Sequence, residues 1–453
     1  MNFILVPLHI TTLGTTSYSD NTTFYVYAAF FNVVLTYGME TAFFRFFNLN
    51  KDKDKVFSTA LISLTISTLL FFAVVLFFSK TLAEMVNLSQ VYFNLLLGVL
   101  VLDALVVVPF AYLRATGRPI KFTAIKLSNV GVYVILNFFF LWAIPTFGIS
   151  FPNYNSSDVV QYIFISNLVA SISTLVLLSP YFFRTKLTFS VQIFKELIHY
   201  GWPIMIVGLA YVINENFDKW LLPEVLGKSI NGAYSGCYKI AVFMTIFIQA
   251  FRLGAEPFFF NHAKELNAKE TYAKIMKYFV ILGSLMFVFT VAFLNVFKEL
   301  IVRDSAYWIA IDIVPIVLLA NLLLGIYFNL AIWYKLTDNT RYGMYIAIVG
   351  AIITIVFNYF MIDVMGFMAS AWATLITYAT MTAISYFIGK KHYPVPYDVL
   401  RIGSYLLIAS VFSAVSYLRF NDDYYISTIL VLLFLGIIFL LEKREIKQFI
   451  IKK

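Results

Sequence analysis

Ionisable side chains stand inside long apolar stretches of this chain: Glu40, Arg45, Asp103, Lys126, Glu215, Asp218, Lys219, Lys239, Arg252, Glu256 and Asp312. A charge at the centre of a bilayer costs roughly 2.5–3.5 kcal/mol on insertion scales, so each one needs an ion partner, a wet cavity or a charged visitor. The densest group is Asn214, Glu215, Asp218 and Lys219, set among Val, Ile, Phe and Trp. Glu215 shares a helix face with Asp218 and lies one turn from Lys219. Lipid would not tolerate that face, so it points into the bundle or into water. Two roles fit it equally: handling a substrate or coupling ion, and a local ion-pair lock. Arg252 and Glu256 are spaced i,i+4 and read first as a structural or gating pair. Arg45 and Lys126 lie near span ends, where long cationic stems snorkel to the headgroups. Lys239 has no carboxylate three or four residues away. Asp103, mid-span, can titrate, hold a cation or hydrogen-bond a neighbouring helix, and the last suits it best. Covalent and metal chemistry find little here. There is one cysteine, Cys237, and the histidines His9, His199, His262 and His392 are scattered without metal spacing. No Walker motif or glycine-rich phosphate loop is present, so ATP is not the fuel.

The elements that must carry these residues are helices across a membrane. Of 453 residues 61% are hydrophobic and 13% charged, and the mean hydropathy is +0.84. A soluble domain carries ~25% charged residues, so a soluble enzyme and a disordered chain are both excluded. A β-barrel is excluded too, because its strands alternate over ~10 residues and these runs are far longer. Apolar stretches run over 24–47, 56–78, 91–113, 122–144, 159–182 and 199–222, and then over 232–256, 278–297, 309–334, 343–362, 367–388, 402–418 and 426–441. Residues 1–10 are apolar but too short to span. Alternate loops collect almost all the Lys and Arg, from Lys51, Lys53 and Lys55 to Lys443, Arg444 and Lys447, and Arg184, Lys186, Lys452 and Lys453 fall with them. The opposite loops hold only Lys80, Lys228, Lys298, Arg303 and Arg419. The positive-inside rule then predicts a cytoplasmic C-terminus and explains the net charge of +9 without nucleic acid. The charged segments 51–55 and 442–453 read as solvated anchors at helix ends.

A repeat runs through the chain. Pro7 matches Pro223, Tyr18-Ser19 matches Tyr234-Ser235, and both Gly38–Phe44 and Gly254–Phe260 read G-x-E-x-x-F-F, all in one register. After a small drift, Arg114-Ala115-Thr116 faces Lys335-Leu336-Thr337 and Asn137 faces Asn358. Repeats of this kind build membrane transporters. Residues 1–10 pair with the end of the 199–222 span, so the register predicts a first helix that begins upstream of Met1. With that helix counted, the fold class is an all-α polytopic membrane protein of about 14 transmembrane helices, the first one truncated.

The segments 24–46, 102–122, 200–222 and 232–259 resemble those of the polysaccharide and O-antigen flippases (Wzx type) in the multidrug/oligosaccharidyl-lipid/polysaccharide exporter superfamily. The likeness covers nearly the whole chain. It implies two pseudo-symmetric six-helix lobes, 1–182 and 199–388, a cytoplasmic linker at 183–198, and a C-terminal helix pair with a basic tail at 389–453. It implies a bacterial inner-membrane flippase, not an enzyme, that moves an undecaprenyl-pyrophosphate-linked oligosaccharide to the periplasmic leaflet by alternating access, for surface polysaccharide or lipopolysaccharide. Lys239, Lys219, Arg252, Arg45 and Asn214 become candidates to line a central cavity and meet the pyrophosphate. Glu215, Asp218, Asp103, Glu40 and Glu256 become candidates for gating or ion coupling. No cofactor is implied beyond H+ or Na+ as coupling ion. Partners are the lipid-linked substrate, membrane lipids, glycosyltransferases and a polysaccharide polymerase. The alternative within the superfamily is a cation-coupled multidrug antiporter.

Overall fold

The computed structural model describes residues 2–183, 187–337, 339–420 and 423–451, with side chains through Lys443 except that of Asn2. Arg184, Lys186, Lys452 and Lys453 fall outside the described residues, as do the side chains of Arg444 and Lys447. Among the described residues every regular element is a helix. After a 3-10 turn at Asn2–Leu5 come α1 (Val6–Thr12), α2 (Thr15–Thr36) and α3 (Met39–Leu49). Next come α4 (Lys53–Phe77), α5 (Gln90–Ala115), α6 (Pro119–Phe147), α7 (Val160–Phe182), α8 (Val191–Val225) and α9 (Lys228–His262). The chain then continues through α10 (Ala268–Ala292), α11 (Ile313–Leu336), α12 (Arg341–Met365), α13 (Met368–His392) and α14 (Val399–Arg419). It ends with α15 (Tyr424–Ile451). The 12 helices α4–α15 are long and apolar enough to cross a membrane, as ~20 apolar residues require. The stretch expected at 24–47 is two helices, α2 and α3. The polar start of α2, TTSYSDNTT, lowers its hydropathy without breaking the helix.

The chain forms two compact units, Met1–Gly232 and Ala233–Lys453, and the boundary falls inside α9. In the first unit α7 lies along α5 and α6, α4 packs on α5, and α8 runs against α2 and α3. Aromatic rings fill one end of it, where Phe43, Phe47, Phe57 and Tyr112 are all buried. In the second unit α13 packs against both α11 and α12, and the C-terminal pair α14 and α15 packs on α10. A polar detail recurs at repeat-matched positions. Asn137 and Asn358 are fully buried. Each donates to the carbonyl four residues back, at 2.8 Å. Each also accepts from outside its helix, Asn137 from His9 Nε2 at 2.9 Å and Asn358 from Ser370 Oγ at 2.6 Å. Buried amides need such partners; the bond within the helix repeats, while the outside donor comes from α1 in the first unit and from α13 in the second.

One sequence anchor behaves differently. The segment 442–453 reads as solvated, yet Glu442 is only 3% exposed. Its carboxylate lies 2.8 Å from Lys277 Nζ of α10 and accepts a hydrogen bond from the Tyr405 hydroxyl of α14. Packing of α15 on α10 takes this carboxylate out of water, and the Lys277 ammonium offsets the cost.

The G-x-E motif breaks a helix in its first copy and leaves it whole in the second. Tyr37 and Gly38 have φ of 34° and 73°, and α2 ends there. A Cβ on Gly38 would lie 2.3 Å from the carbonyl oxygen of Gly201 in α8. Glycine thus serves both the left-handed turn and the close approach of two backbones. Gly254 sits inside continuous α9, and a Cβ there meets nothing within 4 Å. Gly38→Ala is expected to lower the melting temperature of the purified protein, with a left-handed cost of ~1–2 kcal/mol to which the clash adds. Gly254→Ala is expected to raise it slightly, by ~0.5–1 kcal/mol, because alanine stiffens a helix interior. Equal melting of the two variants would refute this asymmetry.

Candidate functional site

Four helices of the first unit line a polar cavity of about 460 Å³. Each contributes one face at helical spacing. From α2 come Ala29, Asn32, Val33 and Thr36, and from α5 come Asp103, Val106, Val107 and Phe110. Helix α6 gives Phe122, Lys126 and Asn129, helix α7 gives Asn167, Ser171 and Thr174, and Glu40 of α3 closes one end. The walls are cross-linked. Ser171 Oγ donates to Asp103 Oδ1 at 2.7 Å, and Asn129 Nδ2 donates to Thr174 Oγ1 at 2.9 Å. Asn167 reaches Tyr25 Oη at 3.4 Å, and Tyr25 bonds Tyr133 at 2.9 Å. The Lys126 ammonium lies 4.3 Å from the centroid of the Phe110 ring, a cation–π contact.

At the end of each unit that joins the lysine-rich loops, the repeat builds an interhelical ion pair. Glu40, in the first turn of α3, pairs with Arg114 at the end of α5. Glu256 of α9 accepts from Lys335 of α11 at 2.7 Å. The sequence register matches Glu40 with Glu256 and Arg114 with Lys335, so each unit ties the same two elements by the same charges. The second unit adds Arg252, whose guanidinium lies 3.2 Å from Glu256 and 4.1 Å from the centroid of Phe328. Two cations thus flank one carboxylate, and the cluster carries a surplus positive charge. It borders an open groove of about 500 Å³ on one face of α9, formed by Gln249, Arg252, Leu253, Glu256, Pro257 and Phe260.

The other expected residues are placed as follows. Asn214, Asp218 and Lys219 are buried in α8, at 6%, 4% and 8% exposure. Lys219 Nζ contacts both oxygens of Asp218 and the backbone carbonyl of Glu215, each at 3.0 Å. A local lock therefore exists, and the carboxylate in it belongs to the adjacent Asp218. Glu215 is half-buried beside it. Lys239 is half-buried in α9. Arg45 lies outside the cavity with its guanidinium 4.5 Å from the centroid of Tyr200. Asp312 accepts from the Tyr417 hydroxyl.

Sequence reasoning missed Asn32, Asn129, Asn167, Ser171 and Thr174, and it counted Arg114 and Lys335 as loop cations. A signal was present. Asn167, Ser171 and Thr174 recur at i, i+4 and i+7, a polar stripe along an otherwise apolar span. Lys126, read as a snorkelling anchor, lines the same cavity as Asp103.

Bundles of long apolar helices with charged side chains held between them define a polytopic all-α membrane protein. The chain belongs to the polysaccharide biosynthesis protein family, whose model matches residues 1–255, and a second model, MatE, matches residues 203–360. The fold is similar to that of the lipid II flippase MurJ in an inward closed conformation. That likeness has a TM-score of 0.75 at 15% identity and covers 98% of this chain and 97% of the other. It is also similar to an inward-facing multidrug resistance MATE family transporter of the MOP superfamily, with a TM-score of 0.65 at 14% identity over 89% and 94% of the two chains. The MATE multidrug transporter DinF-BH gives 0.61 at 14% identity over 87% and 92%. No curated protein sequence matches the chain. The expected polysaccharide family and the all-α polytopic fold class are thereby met, and the solved structures of similar fold are a flippase and transporters.

Proposed function

We propose that the protein flips a lipid-linked oligosaccharide from the cytoplasmic to the periplasmic leaflet of the bacterial inner membrane, supplying surface polysaccharide synthesis. One observation carries this reading: a polysaccharide-biosynthesis family match over residues 1–255 joined to a lipid II flippase fold over 98% of the chain. The basic loops support a cytoplasmic C-terminus by the positive-inside rule. Transport proceeds by alternating access without covalent chemistry. The surplus charge of Arg252 and Lys335 about Glu256 suits an undecaprenyl pyrophosphate, with Lys239, Lys219, Arg45 and Asn214 as further substrate contacts. Lysine suits a carrier, because a mobile point charge releases what it binds. Glu215 and Asp218 are assigned to gating or to H+ or Na+ coupling, and Asp103 and Glu40 to gating or to H+ coupling. Glycosyltransferases and a polymerase would act before and after this step on the same glycan.

The MatE match over residues 203–360 favours a second reading, a multidrug antiporter. Deletion separates the two. In a deletion strain the lipid-linked glycan is expected to accumulate beyond the reach of a membrane-impermeant oxidant applied to spheroplasts, and surface polysaccharide is expected to disappear. Unchanged polysaccharide with heightened sensitivity to cationic drugs would establish the antiporter instead.

A further inference from the structure

We infer that the polar cavity of the first unit seats a sugar ring of the translocated glycan, an assignment that rests on the proposed flippase function. Size argues first. A cavity of about 460 Å³ lies within the ~300–1,000 Å³ of organic-ligand pockets. A single water-sized guest needs only ~10–15 Å³, so a dehydrated ion would leave most of the space unfilled.

Charge argues second. Glu40 is paired with Arg114, and Asp103 stands in the field of the Lys126 ammonium. With Arg114 counted as the partner of Glu40 from outside the lining, the formal charges of Glu40, Asp103, Lys126 and Arg114 cancel, so the cavity favours neither a bare cation nor a diphosphate. Sodium would meet the ammonium of Lys126, and a pyrophosphate would meet Asp103 and Glu40.

The donor set argues third. Asn32, Asn129 and Asn167 each carry an acceptor and two donors, and the Ser171 and Thr174 hydroxyls, whose protons go to Asp103 and to the Ala170 carbonyl, keep acceptor capacity. Sugar hydroxyls donate and accept, so they pair with amides in either sense and donate to the two hydroxyls. Phe110 and Phe122 give apolar faces for the C–H side of a pyranose. The amides are held before any guest arrives: Asn129 is fixed on Thr174, and Asn167 on the Tyr25–Tyr133 pair. A site on packed helices, braced by such bonds, holds its geometry better than one on loops. Beyond its bond to Thr174, the Asn129 amide has a second N–H and a carbonyl to offer.

Saturation-transfer NMR on the purified full-length protein in detergent, with free hexoses and N-acetylhexosamines as probes, tests the inference. At least one sugar is expected to take up saturation. Asn129→Leu and Asn167→Leu are each expected to cut that signal about fivefold, as one lost hydrogen bond implies. Should the leucine variants fold poorly, Ser171→Ala and Thr174→Val keep the shape of the wall and carry the same expectation. Failure of every sugar, or binding that survives all four variants, overturns the site. So does a melting temperature raised by sodium but by no sugar. A cellular arm separates the glycan head of the lipid from free sugar. Well-expressed Asn129→Leu protein is expected to lower surface polysaccharide, and normal polysaccharide would refute the link to substrate. If sugar binding holds while deletion strands no lipid-linked glycan, the flippase reading fails and the sugar site stands.

Discussion

Glu256→Lys is expected to abolish surface polysaccharide while leaving protein levels near normal, and Lys335→Glu in the same chain is expected to restore much of it. The wild-type carboxylate joins α9 to α11 through Lys335 at 2.7 Å and holds Arg252 on its own helix at 3.2 Å. These groups are half-exposed, so the pair itself contributes little to folding; such bridges are worth ~0–1 kcal/mol. Reversal is another matter. It sets three cations against one another, and like-charge juxtaposition costs ~several kcal/mol at close range. The ends of α9 and α11 must separate or admit anions, and either would spoil the positively charged patch proposed for the pyrophosphate. In the double variant the lysine introduced on α9 faces the glutamate introduced on α11, and the bond is remade with its direction inverted. Export of surface polysaccharide, scored against the fluorescence of a tagged protein, reads the outcome. Normal export by a well-expressed Glu256→Lys protein would remove this cluster from the transport cycle. The matched variant Glu40→Lys is expected to be milder, because Glu40 holds one cation, Arg114, where Glu256 holds two.

The spans were legible because crossing a bilayer demands ~20 apolar residues and little else. The repeat was legible because Gly, Glu and Asn hold special places in an apolar helix. Its meaning was not. Hydropathy puts Arg114 and Lys335 at span ends and so makes them loop charges; only folding shows that each reaches back to the glutamate of its own unit. The two G-x-E copies look alike as strings, yet only Gly38 turns left-handed, and of the two only Gly38 has a second backbone, that of Gly201, lying against it. The cavity was half legible. Asp103 announced itself as a charge in a span, whereas Asn129 and Thr174 carry no charge, and single polar residues in a helix pass as ordinary. Residues 214–219 showed the charges but not the pairing, since Lys219 turned to the neighbouring Asp218.

Glu442→Ala is expected to cost the folded protein ~3–5 kcal/mol, the usual penalty for removing one member of a buried pair. Lys277 and Glu442 side chains are 5% and 4% exposed. Tyr405, fully buried on α14, donates to the same carboxylate, and Arg401 Nη1 lies 3.6 Å away. One carboxylate therefore unites α10, α14 and α15. Without it the Lys277 ammonium loses its carboxylate inside a helix bundle, and the Tyr405 hydroxyl loses its acceptor. Lys277→Ala is expected to cost less, because Glu442 keeps Tyr405 and Arg401. Lys277→Met combined with Glu442→Leu is expected to come close to wild type, since apolar groups of similar volume replace a buried pair at little cost. That ordering, read from melting of the full-length protein in detergent, distinguishes a buried charge problem from a mere packing defect, which would make the double variant the worst. If Glu442→Ala melted with wild type, the C-terminal pair would be held by its apolar faces alone, and the carboxylate would have no part in anchoring it.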